Sequence, residues 1–143
     1  MGTAYEVRLR TVDGGPTALG SAGPFTLVSD RPAKAGGGGL GFSGGQLLHL
    51  AIAACYVNDL YREAPGLGVT VEGVDVTVDG DFPRPGDAST GITVDLDIVS
   101  PSGETAVRTL VEVVDRMAEI PGSLRGTTTV ELRTVRINGG SAG

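Results

Sequence analysis

The chain has 143 residues, a length typical of one domain, and 40% of them are hydrophobic, enough to build a core. A net charge of −6 argues against general nucleic-acid binding and against an anionic membrane surface, because both partners attract clustered Lys and Arg. The single cysteine excludes an internal disulfide and a zinc site of several thiolates, and a lone reduced thiol indicates the cytoplasm.

The first part of the chain predicts short strands. Residues 5–12, YEVRLRTV, alternate apolar and polar side chains, which is typical of a half-buried strand. DGGPT is a predicted turn, and PFTLVSD at 24–30 is a second or third short strand. The N-terminus lacks the apolar run of a signal peptide, and no segment has the roughly 20 apolar residues that a membrane span needs.

A glycine-rich loop then leads to a long predicted helix. Ser43 and Gln46 have the S-x-x-Q spacing of a capping box, which marks the start of the helix. Leu47–Val57 is apolar at almost every position, and this predicts a helix that is buried on all sides. Asn58 and Asp59 are expected to mark its emergence into water, before a Pro-Gly pair ends it.

Further strands are predicted after this helix. Residues 68–82 change phase at Glu72-Gly73, which indicates a bulge or bend, and 90–100 alternate cleanly. Residues 127–137 form a closing strand, and 138–143 are predicted to be a disordered tail.

A second helix is predicted over 102–119, stopped by the segment IPGS. Its apolar stripe follows helical spacing and comprises Ala106, Leu110, Val113, Val114 and Met117. The element order predicts an α+β fold, because strands and helices do not alternate strictly, in a single domain over 1–143.

The segment Gly39–Gly44 matches G-x-G-x-x-G, a pattern of dinucleotide-binding loops. In such a loop a strand ends directly before the first glycine, whereas here the preceding strand ends near Asp30. We therefore interpret the glycines as a loop that passes close to a packed helix, and we expect neither a cofactor nor a metal.

Cys55 lies late in the predicted helix, and spacing alone favours a small buried side chain over a reactive thiol. Asp59, one turn later, would oppose ionisation if it faced the sulfur. His49 is about 120° away around the helix axis, so a Cys-His pair within the helix is not expected. Three upstream arginines are candidate activating cations: Arg8, Arg10 and Arg31.

The central segment GGGGLGFSGGQLLHLAIAACYVNDL resembles the helix signature of the OsmC/organic hydroperoxide resistance family. Gln46-Leu47-Leu48 and Ala53-Ala54-Cys55-Tyr56 match its motifs, and VVDRMAEIPGSLRGTTTVEL is similar to the second helix of the family. The resemblance implies antiparallel sheets around a long buried central helix, in an intertwined homodimer with its sites at the subunit interface.

The resemblance also implies a chemistry in which a cysteine thiolate, here Cys55, reduces an organic hydroperoxide with the help of an arginine, for which Arg10 is the candidate. Three positions depart from the family pattern. Ile120 replaces the second cysteine, and Gly44 and Gly45 replace the proline and the glutamate at the helix start. A disulfide within the chain is therefore impossible.

Three functions fit these residues. The first is a one-cysteine hydroperoxide reductase that an external thiol regenerates. The second is a non-enzymatic homodimer that binds a small hydrophobic ligand in a pocket near Phe42, Cys55 and Tyr56. The third is acyl or sulfur transfer through Cys55, which lacks an evident partner base.

Overall fold

The computed structural model describes residues 2–139 and divides into two compact units, one ending at Leu48 and the other beginning at His49. The boundary lies inside the long helix α1 (Gly44–Glu63). Each unit has its own three-stranded sheet, and the secondary structure is the mixed α+β that the sequence predicts. The single domain over 1–143 stays a prediction.

The sheet of the first unit is antiparallel in the order β1-β2-β3. Its strands are β1 (Arg8–Thr11), β2 (Ala18–Ala22) and β3 (Phe25–Ser29). The predicted half-burial of the first strand is wrong for the single chain, because β1 is exposed at all four positions and Leu9 is 63% exposed. This sheet therefore presents apolar side chains to solvent.

The sheet of the second unit has the order β4-β5-β6. Its strands are β4 (Gly73–Gly80), β5 (Ile92–Val99) and β6 (Val130–Asn138). β4 and β5 are antiparallel as predicted, but β5 and β6 are parallel. The chain segment between β5 and β6 contains two helices, and parallel neighbours need such a crossover connection. Asn138, placed in the predicted tail, ends β6, and 140–143 lie outside the described residues.

β5 confirms its predicted alternation. Its inward side chains are fully or almost fully buried: Ile92, Val94, Leu96 and Ile98. The outward acids pair with β6, where Arg133 binds Asp95 and the Arg136 Nε lies 3.7 Å from an Asp97 oxygen. β5 is thus the central strand, with one apolar and one charged face.

The phase change at Glu72-Gly73 does not produce a bulge, because β4 begins at Gly73 and pairs regularly with β5. The register shift of this sheet is in the other pair, where Val94 faces Leu132 and Asp95 faces Thr134. Glu72 lies directly before β4 and is not part of the strand.

The predicted second helix is two helices, α2 (Glu104–Met117) and α3 (Glu119–Leu124). Ala118 has a non-helical ψ of 116° and separates them, so the segment IPGS belongs to α3 and does not stop a helix. The apolar stripe is also rotated from its prediction. Met117 is exposed, and the buried side chains of α2 are Val107, Leu110, Val111 and Val114.

The predicted capping box begins α1. The Ser43 backbone N–H donates to Gln46 Oε1 at 2.9 Å, and the Gln46 N–H donates to Ser43 Oγ at 3.4 Å. Burial on all sides is not seen in the single chain. Ile52 and Leu60 are fully buried, whereas Leu50 is 46% exposed. One side of α1 is therefore open in the isolated chain.

The glycine-rich loop, residues 36–41, returns closely along β3. A methyl group at Gly41 would lie 2.2 Å from the Val28 carbonyl oxygen, and one at Gly37 would lie 2.0 Å from that of Arg31. Phe42 then hydrogen-bonds to β3, because its N–H donates to the Val28 carbonyl at 3.0 Å. Close backbone approach explains the glycines at 37 and 41.

Asp30 holds this loop in place. Its carboxylate accepts hydrogen bonds from the Thr17 hydroxyl at 2.9 Å and from the N–H groups of Arg31, Gly38 and Leu40 at 2.7, 3.2 and 3.2 Å. Burial by itself favours the neutral acid, but these four bonds outweigh it and hold the pKa of Asp30 below its usual value. Two loop amides thus bind a carboxylate of the protein itself rather than a phosphate.

Asp30→Asn should lower Tm by about 5 °C at pH 7, because the amide cannot accept all four hydrogen bonds. A depressed folded pKa gives stability that is present above the unfolded value of about 3.9 and is lost as pH falls through the folded pKa. Thermal unfolding between pH 3 and pH 7 should therefore show the two Tm values converging in acid.

Asp13→Asn is the matched control, because Asp13 is exposed at a positive φ of 53°, which asparagine tolerates. Its Tm should follow that of the wild type across the pH series. An Asp30→Asn protein as stable as the wild type at pH 7 would show that the carboxylate does not organise the loop.

Candidate functional site

Cys55 is half-buried on α1, eleven residues after the first residue of the helix. Its sulfur lies 3.9 Å from Oδ2 of Asp59, one turn later on the same face. This distance suits a weak hydrogen bond in which the thiol donates to the carboxylate. The candidate site is therefore a thiol with a neighbouring acid.

The prediction that Asp59 emerges into water is wrong. Asp59 is 5% exposed, and its second oxygen, Oδ1, lies 3.1 Å from the guanidinium of Arg62. The Arg62 Nε also donates to Glu63 at 2.8 Å. Burial raises the pKa of Asp59, and the charge of Arg62 opposes this shift. The contacts with the Arg62 guanidinium and the Cys55 thiol offset the cost of burying this carboxylate.

Tyr56 follows Cys55 but points into the core, where it is fully buried. Its hydroxyl donates to Oδ1 of Asp115 at 2.6 Å, and Arg125 NH2 donates to the same carboxylate oxygen at 2.7 Å. Arg125 NH2 also lies 3.2 Å from the Tyr56 oxygen. Each buried polar group of this network thus has a partner.

Arg125 extends the network into the backbone. Its NH1 donates to the carbonyl of Asp115 at 2.9 Å, and its Nε donates to the carbonyl of Val130 at 2.9 Å. Burial, followed by the hydrogen bond to Asp115, raises the pKa of the Tyr56 hydroxyl. The network therefore joins α1, α2 and the start of β6, and it keeps Tyr56 neutral.

The structure divides the sequence-predicted site residues between the two units. Arg10 is exposed on β1, and Phe42 is 43% exposed beside β3, both in the first unit. Cys55 and Tyr56 are consecutive on α1 in the second unit, with only Tyr56 fully buried. The roles of Arg10 and Phe42 stay predictions.

Two of the three candidate arginines have partners within the first unit. Arg8 Nε lies 3.2 Å from Glu6, and Arg31 Nε donates to the Ala35 carbonyl at 3.1 Å. In the second unit, His49 packs at the end of β4, where a methyl group at Gly80 would lie 2.6 Å from its Nε2. Glycine at position 80 therefore leaves room for the imidazole.

Ile120 lies in α3 and is 38% exposed. Among residues 2–139, no three His, Cys, Asp or Glu side chains are grouped to hold a metal ion. Within the same residues, no helix combines the length and the apolarity needed to cross a bilayer.

A family model described as "OsmC-like protein" matches residues 36–133, more than half of the chain. The chain belongs to the OsmC-like family. The match includes the capping box, Cys55, Tyr56 and Arg125. No curated protein matches the sequence significantly.

Solved structures of OsmC-like proteins share the fold over nearly their whole length. An OsmC-like protein from Mycoplasma pneumoniae has a TM-score of 0.82 at 20% identity, covering 96% of this chain and 99% of that one. An organic hydroperoxide resistance protein OsmC from Legionella pneumophila has a TM-score of 0.70 at 20% identity, covering 94% and 97%. The organic hydroperoxide resistance protein OhrB of Bacillus subtilis has a TM-score of 0.62 at 20% identity, covering 92% and 98%.

Tyr56→Phe should destabilise the protein by about 1–2 kcal/mol, because it removes the hydroxyl that donates to Asp115. Chemical denaturation at pH 7 measures this loss. The raised pKa gives the Tyr56 hydroxyl stability that is present below about pH 10 and is lost as pH rises further. The difference between variant and wild type should therefore shrink in strong alkali.

Tyr61→Phe is the control on the same helix, because Tyr61 is 47% exposed. It should change stability by less than about 0.5 kcal/mol. Equal effects of the two substitutions would contradict a specific role for the Tyr56 network.

Proposed function

We propose that this protein acts in organic hydroperoxide resistance, as a reductase that uses one cysteine and an external thiol. The observation that carries the proposal is Cys55 itself, a half-buried free thiol on α1 within the matched residues 36–133. Named hydroperoxide resistance proteins share the fold, which supports this reaction class.

The reaction balances with one cysteine. The Cys55 thiolate attacks one peroxide oxygen, the O–O bond breaks, and the alkoxide leaves and takes up a proton to become an alcohol. The sulfur is oxidised by two electrons to a sulfenic acid. One external thiol then forms a mixed disulfide and releases water, and a second thiol releases Cys55 as the free thiol. Such a cycle fits a reducing compartment such as the cytoplasm.

The proposal assigns supporting roles to three further residues. Arg10 would provide positive charge for the thiolate, and Phe42 would line an apolar pocket for the organic part of the peroxide. Tyr56 is the second proposed pocket residue, and its hydrogen bonds to Asp115 and Arg125 hold its side chain in place.

We also propose that the protein is a homodimer. In the first unit, exposed apolar residues lie on one sheet: Leu9, Phe25 and Leu27. In the second unit, Leu50 and Ala54 lie one turn apart on the exposed side of α1. In a homodimer, a second copy would cover apolar side chains that are exposed in the single chain.

Purified wild-type protein should consume cumene hydroperoxide when dithiothreitol is present, and Cys55→Ser should leave only the background rate. Peroxide loss is followed with a ferrous-xylenol orange assay. With peroxide alone, a dimedone probe should label wild-type Cys55, and intact-mass spectrometry detects the adduct.

Arg10→Gln should slow the reaction without unfolding the protein, because Arg10 is exposed on β1. Arg8→Gln, on the same strand, is its matched control and should react like the wild type. If peroxide is untouched and Cys55 stays unlabelled, the reductase proposal is wrong. Native mass spectrometry of protein from its expression host would then test the ligand-binding alternative, for which a bound apolar molecule is expected.

Sedimentation equilibrium at micromolar concentration should give twice the chain mass of 14.5 kDa. Leu9→Lys should shift the mass toward the monomer, because it places a charge on the exposed apolar sheet face. Thr26→Lys, an exposed position of the same sheet, is the control and should leave the mass unchanged. A monomeric wild type would contradict the proposed homodimer.

A further inference from the structure

Cys55 sits in an acidic cluster at the C-terminal part of α1. Asp59 and Glu63 follow it on the same helix, and Glu119 at the start of α3 adds to the negative field that acts on Asp59. Arg62 is the cation of the cluster, in contact with both Asp59 and Glu63. Three carboxylates thus act electrostatically on one guanidinium.

The two oxygens of Asp59 have different partners. Oδ2 faces the Cys55 sulfur at 3.9 Å, and Oδ1 faces the Arg62 guanidinium at 3.1 Å. The side chain of Asp59 is 7% exposed, so water screens its charge weakly. The thiol can donate to this carboxylate, whereas a thiolate at the same place would meet a like charge.

We propose that Asp59 is a positioning residue that orients the Cys55 thiol and restrains formation of the thiolate, while Arg62 offsets that restraint. Because the thiolate is the nucleophilic form of cysteine, the charge on residues 59 and 62 then sets how fast Cys55 reacts with any electrophile. The inference takes Cys55 as the reactive group, as the proposed function does, but the contact itself does not depend on peroxide chemistry.

Charge-changing variants test this inference through alkylation by iodoacetamide, in which a sulfur–carbon bond forms and iodide leaves. Intact-mass spectrometry gives the rate at pH 7. Asp59→Asn should speed alkylation about three- to tenfold, because it removes the like charge. Arg62→Gln should slow it, because the carboxylates lose their cation.

Two further variants separate charge from structure. Asp59→Glu keeps the charge and should react at a rate closer to that of the wild type than Asp59→Asn does. Glu63→Gln removes a carboxylate that contacts Arg62 but follows Cys55 by eight residues on α1, so it should speed alkylation less than Asp59→Asn does.

If Asp59→Asn slows alkylation and Asp59→Glu restores the wild-type rate, Asp59 acts as a base toward the thiol, and the proposal is wrong. Equal rates, or changes of the same sign in Asp59→Asn and Arg62→Gln, would also overturn it. Circular dichroism checks folding, and if Asp59→Asn does not fold, the rate of Arg62→Gln decides. The two proposals can fail independently. If the variants show the predicted order of alkylation rates but the wild type does not consume peroxide, only the proposed reductase function is wrong.

Discussion

The hydrogen bonds among Tyr56, Asp115 and Arg125 fix the rotation of α1, and the position of Cys55 depends on that rotation. Successive helical residues are about 100° apart, so a Tyr56 held toward the core leaves Cys55 on the flank of the helix, half-buried. Because Asp115 and Arg125 come from α2 and from the segment after α3, three parts of the second unit converge on one hydroxyl. A satisfied buried network of this kind specifies one packing.

Asp30 plays a comparable part in the first unit. Its carboxylate occupies the N–H groups of Gly38 and Leu40, and the N–H of Gly39 donates to the Arg31 carbonyl at 3.1 Å. An anion from solution would compete with a carboxylate that is already tethered beside the loop and loses little freedom on binding. Of the three motif glycines, Gly41 is required by the close approach to β3, and the neighbouring loop amides of Gly38 and Leu40 bind a carboxylate of the protein rather than a phosphate.

Local patterns predicted part of the local structure. The Ser43-Gln46 cap and the alternation of β5 both rest on residues close in sequence, and both are present. The Tyr56 network was missed because its partners are 59 and 69 residues away, beyond any periodicity. The i, i+4 spacing placed Asp59 near Cys55, but its burial depends on Arg62, since an aspartate is usually exposed.

The proposed restraint from Asp59 also bears on the absence of a second cysteine. In the proposed cycle, a sulfenic acid on Cys55 has no second cysteine in the chain with which to form a disulfide, and it must await an external thiol. Such a species is open to further oxidation to a sulfinic acid, which cells rarely reverse. That second oxidation proceeds through an anionic sulfenate, which under the proposed restraint would meet the like charge of Asp59. The proposed one-cysteine site would therefore be slower in the first oxidation and better protected against the second.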